Sequence, residues 1–399
     1  MKYYAFRRQP FKALYTAGSI LALIFVRLPF WAIAYLAPGL RPRRNWSIGR
    51  CLIVLICQSY SSMLFATEVP VTQPIDHAPL EENDQGFVWI EPVFGSLIVG
   101  EIKDMAEVNG VEAVRVGGYW IGPRGRTMRA GEHALQDEKV IYHIHGGAYF
   151  SWSASPSFIF MKTCYAGFLE HFPDGPRIFS LEYRLSSAPP SSPVSNPCPA
   201  AIIDAVAGYR YLVQELGFKP QNIILSGDSA GGNIALCLAL YLARSALPGL
   251  PPPRALLLLS PAADWGNTHL GPGSSLLQNA TTDYIQHAFL SNYTARALVG
   301  NLPLETAATS VWISPASLKL EFVPGLFAGL PRTCIFVGQA ELALDQARTL
   351  RERIQADNGE DAVNYMEWAD VTHDAVCMPW HEPERTKALR EIAKWLQSI

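Results

Sequence analysis

The chain has 399 residues, 49% of them hydrophobic, and a formal net charge of −3. That length allows one large or two ordinary domains, and that apolar fraction supports a sizeable core and excludes disorder in bulk. Residues 1–50 hold nine Lys or Arg and no Asp or Glu, so this section carries +9 and leaves −12 for the rest. A basic, apolar leader points to a membrane, and an acidic remainder excludes nucleic acid as the partner of the main domain.

In chain order, Leu14 to Leu36 is a 23-residue, mostly apolar stretch, long enough to cross a bilayer. Arg27 and Pro29 interrupt it. A second apolar run, Cys51 to Cys57, is too short to span. A single N-terminal anchor is the first reading. An interfacial or re-entrant helical region rich in Trp31 and Arg is the second, and a cleaved signal peptide the third. Basic residues on both sides leave the positive-inside rule without a direction. Residues 1–66 are therefore expected to attach the chain to a membrane. Residues 67–108 read as a polar linker and lead-in segment, with Pro70, Pro74, Pro79 and the acidic Glu81-Glu82-Asn83-Asp84. Residues 109–399 read as the catalytic domain. Glycosylation sequons stand at Asn45, Asn279 and Asn292, and the last two favour a lumenal catalytic domain. Seven cysteines are scattered without Cys-x-x-Cys or zinc spacing, so no metal site is expected.

From about residue 110 the periodicities change. β-rich runs at 113–116, 119–121, 140–144, 178–181, 223–226, 256–259, 334–337 and 363–368 alternate with helical patterns near 157–171, 199–216, 229–245, 342–356 and 383–397. The alternation predicts an α/β fold with a mostly parallel eight-stranded sheet and helices on both faces.

Val140-Ile141-Tyr142-His143-Ile144 reads as a buried strand and runs into His145-Gly146-Gly147-Ala148. Acyl transfer creates an oxyanion, which pre-aimed backbone N–H groups stabilise. Gly146 and Gly147 are assigned as donors, together with the N–H of Ala230. His145 is assigned a structural role in orienting the loop. His143 reads as a sheet-packing residue.

Ile223-Ile224-Leu225 leads into Gly227-Asp228-Ser229-Ala230-Gly231, followed by a helical pattern. A serine on a sharp strand-to-helix turn needs neighbours without bulk two positions before and after it. Its place at a helix N-terminus faces partial positive charge toward any anion formed there. Ser229 is the expected nucleophile. Residues 262–330 break the alternation, are rich in Asn, Gly, Thr, Ser and Pro, and are expected to form a lid over the strand ends.

A serine nucleophile needs a base and an orienting acid, each on a loop after a late strand. His373 follows the last expected strand. Glu341 comes four residues after the penultimate one and is the expected acid. Asp345, four further on, is the alternative and otherwise begins a helix.

Together these motifs resemble the hormone-sensitive-lipase-like family of α/β-hydrolases, to which arylacetamide deacetylase and the fungal steryl acetyl hydrolases belong. The resemblance covers roughly residues 110–399. It rests on His145-Gly146-Gly147, Gly227-Asp228-Ser229-Ala230-Gly231-Gly232-Asn233, Glu182-Tyr183-Arg184-Leu185 with Pro199-Ala200-Ala201-Ile202-Ile203-Asp204, and His373. Three departures stand out. Ala148 replaces a third glycine, Glu341-Leu342-Ala343-Leu344-Asp345 replaces Asp-Pro-Leu-x-Asp, and Ser186-Ser187-Ala188-Pro189-Pro190 lacks a usual carboxylate. The resemblance implies a serine esterase with a Ser-His-Glu triad, no cofactor, and a small apolar ester as substrate, such as an acetylated sterol, terpenoid or other secondary metabolite. It also fits an endoplasmic-reticulum membrane anchor. A lyase or acyl transferase on the same scaffold, and a non-catalytic binding protein, are the competing classes.

Overall fold

A computed structural model describes residues 3–76, 86–122, 131–173 and 175–399. Eight strands form one sheet in the order β1-β2-β4-β3-β5-β6-β7-β8. They are β1 (Phe87–Ile90), β2 (Val116–Ile121), β3 (Val140–Ile144), β4 (Arg177–Glu182), β5 (Ile223–Asp228), β6 (Ala255–Leu259), β7 (Arg332–Gly338) and β8 (Val363–Trp368). β2 pairs antiparallel with β1 and β4, and every pairing from β4 to β8 is parallel. The central strands are buried on both faces, which is why β6 reads Ala-Leu-Leu-Leu-Leu with no alternation.

Eight strands were expected and eight occur among the described residues, but not the same eight. Of the run at 113–116 only Val116 is in a strand, and it belongs to the same strand as 119–121, because Gly117 and Gly118 continue the pairing instead of turning. The missing strand is β1, inside the stretch expected as a linker. That stretch also holds helix α3 (Gly100–Asn109), so the sheet begins before residue 109. Pro79 and the acidic run 81–84 lie outside the described residues.

Helices cover the sheet as expected: α4 (Ile159–His171), α5 (Ala200–Arg210), α6 (Ser229–Ser245), α7 (Leu344–Asn358) and α8 (Glu384–Ser398). The 262–330 insertion folds as short helical turns, among them Ser275–Gln278, Gln286–Leu290 and Tyr293–Val299.

The N-terminal region departs most from expectation. α1 runs Phe11–Ala34, through a π-turn at Leu23–Arg27. α2 runs Ile48–Ala66, so the Cys51–Cys57 run is one part of a 19-residue helix. Ser47 starts α2 by accepting the Arg50 N–H at 3.1 Å. α2 is docked on the α/β body. Buried Arg50 pairs with Glu384 at 2.7 Å, and Gln58 Nε2 donates to Asp283 O at 2.8 Å. Phe65 is buried against Phe150 and Tyr293.

Candidate active site

Parallel strands bring their carboxyl ends, and the loops after them, to one edge of the sheet. β3 delivers Gly146 and Gly147, β5 delivers Ser229, β6 Ser260, β7 Glu341 and β8 His373. Ser229 has φ +50°, the left-handed conformation of a sharp turn. A Cβ on Gly227 would strike the Gly231 carbonyl, and one on Gly231 would strike the Ile144 carbonyl, so only glycine fits at either position.

Ser229 Oγ lies 2.8 Å from His373 Nε2, and His373 Nδ1 lies 3.1 Å from Glu341 Oε2. The second Glu341 oxygen accepts from Ser260 Oγ at 2.8 Å and from Gly338 N at 2.6 Å. All four side chains are buried. Asp345 is elsewhere. Its Oδ2 accepts the Ser275 N–H at 2.8 Å, in the first turn of α7, as its alternative reading as a helix-start residue requires.

Burial works against a charged imidazole at His373, but the carboxylates of Asp374, Glu341 and Asp283 outweigh it and raise its pKa. Asp283 comes from the lid. Burial pushes its pKa up to about 6 against the opposing pull of His373. The N–H groups of Leu342 and Tyr284 hold it, at 2.7 and 2.6 Å. Asp374 lies 3.3 Å from His373 Nε2, and burial pushes its carboxyl well above the usual range. Its N–H donates to Ser260 Oγ at 3.1 Å.

The oxyanion assignment needs a correction. The Gly146 N–H donates to Asp228 Oδ2 at 3.0 Å and is not free for a substrate oxygen. Asp228 is fully buried and also meets His143 Nε2 at 3.1 Å. The available donors thus shift by one residue. Gly147 and Ala148 N–H meet no acceptor among the described residues. Ala230 N sits in the first turn of α6, where an N–H has no partner within the helix. His145 is buried beneath the Gly146-Gly147 loop. Its Nδ1 lies 2.8 Å from Gly146 O, its Nε2 3.2 Å from Glu182 Oε1, and its ring stacks on Tyr183 at 4.3 Å.

The lid is tied to the loops that carry the acid and the base. Tyr284 Oη donates to His373 O at 2.8 Å and Thr282 Oγ1 to Ala340 O at 2.8 Å. Asn279, expected as a sugar acceptor, is buried here instead. Its amide donates to Glu341 O at 2.7 Å and accepts from Arg43 at 2.7 Å. Asn45 and Asn292 are exposed.

Above Ser229 and His373 lies a mostly apolar cavity of about 360 Å³. Trp152, Phe150, Trp265 and Phe289 wall it, and α2 supplies a further side with Ile56, Cys57, Tyr60 and Leu64. Sequence reasoning missed that contribution, as it missed Ser260, Asp283 and Asp374. Ser260 alone left a trace, as the polar residue that ends the apolar run of β6. Among the described residues no group of three His, Cys, Asp or Glu is placed to hold a metal ion.

Such an arrangement can transfer a proton from serine to imidazole and stabilise an oxyanion within one apolar pocket. Comparison with known proteins agrees. A family profile described as the alpha/beta hydrolase fold matches residues 141–377. An esterase of Acinetobacter venetianus is 30% identical over 278 residues, 70% of this chain and 80% of that protein. An acetyl-hydrolase of Streptomyces hygroscopicus is 30% identical over 259 residues, 65% of this chain and 74% of that protein. The crystal structure of an esterase from the bacterial hormone-sensitive lipase family superposes with a TM-score of 0.56 at 25% identity, covering 88% of this chain and 98% of that one. The sheet order, the strand-to-helix turn at Ser229 and these relatives agree that the chain belongs to the hormone-sensitive-lipase-like family of α/β-hydrolases and is a carboxylic ester hydrolase.

Proposed function

We propose that the chain hydrolyses short-acyl esters, acetates foremost, of apolar alcohols such as sterols or terpenoids, while held at a membrane by residues 1–66. Ser229 attacks the ester carbonyl. His373 takes the proton at Nε2 and returns it to the leaving alcohol oxygen. Glu341 holds the imidazole through Nδ1. The N–H groups of Gly147, Ala148 and Ala230 receive the oxyanion, and water then attacks the acyl-enzyme by the same route.

The observation that carries this reading is the Ser229–His373–Glu341 relay, at 2.8 and 3.1 Å, opening on an apolar cavity. The preference for acetate is supported by the acetyl-hydrolase relative. An apolar alcohol is supported by the walls of the cavity, and the membrane by the uncovered apolar surface of α1.

Hydrolysis of p-nitrophenyl esters from acetyl to long acyl tests the chemistry. Ser229→Ala is expected to lower kcat by about 10⁴-fold or more, and folded protein that cleaves none of the series would overturn the proposal.

A further inference from the structure

α1 leaves a broad apolar face uncovered. The side turned toward the body of the protein carries the half-buried Lys12, Tyr15, Thr16, Ser19, Leu23, Leu28 and Trp31. The side turned away carries Leu14, Leu21, Phe25, Val26, Phe30 and Ile33, with Phe25 71% and Ile33 70% exposed. A soluble helix hides its apolar stripe, so this face matches a hydrocarbon environment.

Both ends of α1 are nevertheless fastened, the first to the end of the docked α2 and the second to the start of α2 and the body beneath it. Ahead of it, Tyr4 N donates to Phe65 O at 2.8 Å and Phe6 N donates to Ala66 O at 2.9 Å, and in its first turn Lys12 pairs with Glu68. Behind it, Tyr35 is buried with Trp46, Cys51 and Val54. Trp46 Nε1 donates to Asp370 O at 2.7 Å. α1 therefore runs antiparallel to α2. A helix of this length is about 36 Å long, close to the roughly 30 Å of a bilayer's hydrocarbon. If it spanned, one end would be on the far side, and one of the two sets of contacts would be lost. Lying in the plane keeps both, and lets Arg27 reach the headgroups.

The charges agree. Arg7 and Arg8 stand exposed ahead of α1 and Arg44 stands exposed beyond its other end, with no acidic residue between them. That distribution suits an anionic headgroup layer. α2 then links this surface to the chemistry. Ile56 and Tyr60 are 40% and 57% exposed, yet both line the cavity that holds Ser229 and His373.

We propose that α1 and α2 form a hairpin lying in the plane of an anionic phospholipid surface, and that the active-site cavity opens onto that surface so that the ester enters from lipid. The proposal rests on the esterase and membrane readings given above, and changes the mode of attachment from a spanning anchor to an in-plane one.

The test uses the full chain with phosphatidylcholine–phosphatidylserine vesicles carrying hexadecyl acetate, and p-nitrophenyl acetate in solution. A triple variant, Leu21→Asp with Phe25→Asp and Phe30→Asp, is expected to keep soluble hydrolysis within about two-fold, to stop cosedimenting with vesicles, and to lose roughly ten-fold or more of its rate on the embedded ester. Unchanged hydrolysis of the embedded ester by a variant that no longer cosediments would overturn lipid-side access. A wild type that ignores vesicles and instead dimerises through this face would overturn the lipid assignment. Absence of soluble hydrolysis in the wild type would sink the esterase reading separately. One further measurement needs no variant. In sealed membranes, tags ahead of Tyr3 and after Ile399 are expected on the same side, and opposite sides would mean that α1 spans.

Discussion

Ser260 organises more of the site than its single hydroxyl suggests. It donates to Glu341 and accepts from Asp374 N, so it fixes the acid and the base-bearing loop relative to each other. Ser260→Ala is expected to lower kcat about ten- to hundred-fold with little change in KM, because it loosens the proton relay rather than the cavity. Steady-state kinetics on one short ester reads that split. The two carboxylates of the Glu341-to-Asp345 stretch should separate sharply. Glu341→Ala removes the group bonded to His373 Nδ1, whereas Asp345→Asn changes only a helix start, so a collapse of kcat in the second and not the first would reverse the proposed roles. Asp283 gives a pH prediction. A nearby negative charge favours protonated imidazole, which cannot act as a base. Asp283→Asn removes that charge, so the acid limb of kcat/KM is expected to move down by roughly one pH unit. A limb that stays in place or moves up would contradict the assigned coupling.

At the scale of elements, the cavity is a joint product of the lid and α2. The lid fastens to the loops of the acid and the base through Asn279, Thr282 and Tyr284. It leaves one wall open, which Ile56, Cys57, Tyr60 and Leu64 of α2 close. Chain-length selectivity should therefore answer to α2, far from Ser229 in sequence. Leu64→Trp fills part of a cavity of about 360 Å³. The ratio of kcat/KM for long over short p-nitrophenyl esters is expected to fall about ten-fold, and an unchanged ratio would remove α2 from the substrate wall.

At the scale of the molecule, α2 is held to α8 by a charged knot that ties stability to pH. Glu384 has its pKa lowered by Arg50 against the opposing effect of burial. A carboxylate with a depressed folded pKa adds stability above its unfolded value, 4.5, and loses it as pH falls through the folded pKa. His381 sits in the same knot, and burial with Arg50 lowers its pKa from 6.5 to about 3. Between those values the unfolded chain binds the proton more readily, so stability again rises with pH. The thermal midpoint of the full chain is expected to fall steadily from pH 7 to pH 4, and His381→Gln should flatten the upper part of that slope. Arg50→Ala should cost about 2 kcal/mol at pH 7, since it strands Glu384 without its charged partner. An unaltered denaturation midpoint would mean that the Arg50–Glu384 pair contributes nothing to stability.

Some of this was legible in one dimension because it depends on neighbours in sequence. The turn at Ser229 needs glycines two positions either side, the buried strands read as unbroken apolar runs, and Glu341 and His373 follow their strands at loop distance. Those patterns, with the family resemblance, pointed to seven of the eight described strands, to the helices that cover the sheet and to Ser229, Glu341 and His373 as candidates. The remainder depends on contacts between segments far apart in the chain. Only the folded chain shows that Asp228 occupies the Gly146 N–H, that Asn279 is spent inside the lid, and that Asp283 crowds His373. Only there, too, does α2 become a wall of the cavity, and α1 a helix with both ends on one body and its apolar side turned outward. Local periodicity reports which residues share a face. It does not report what that face meets, and at this site the meeting partners lie up to several hundred residues away.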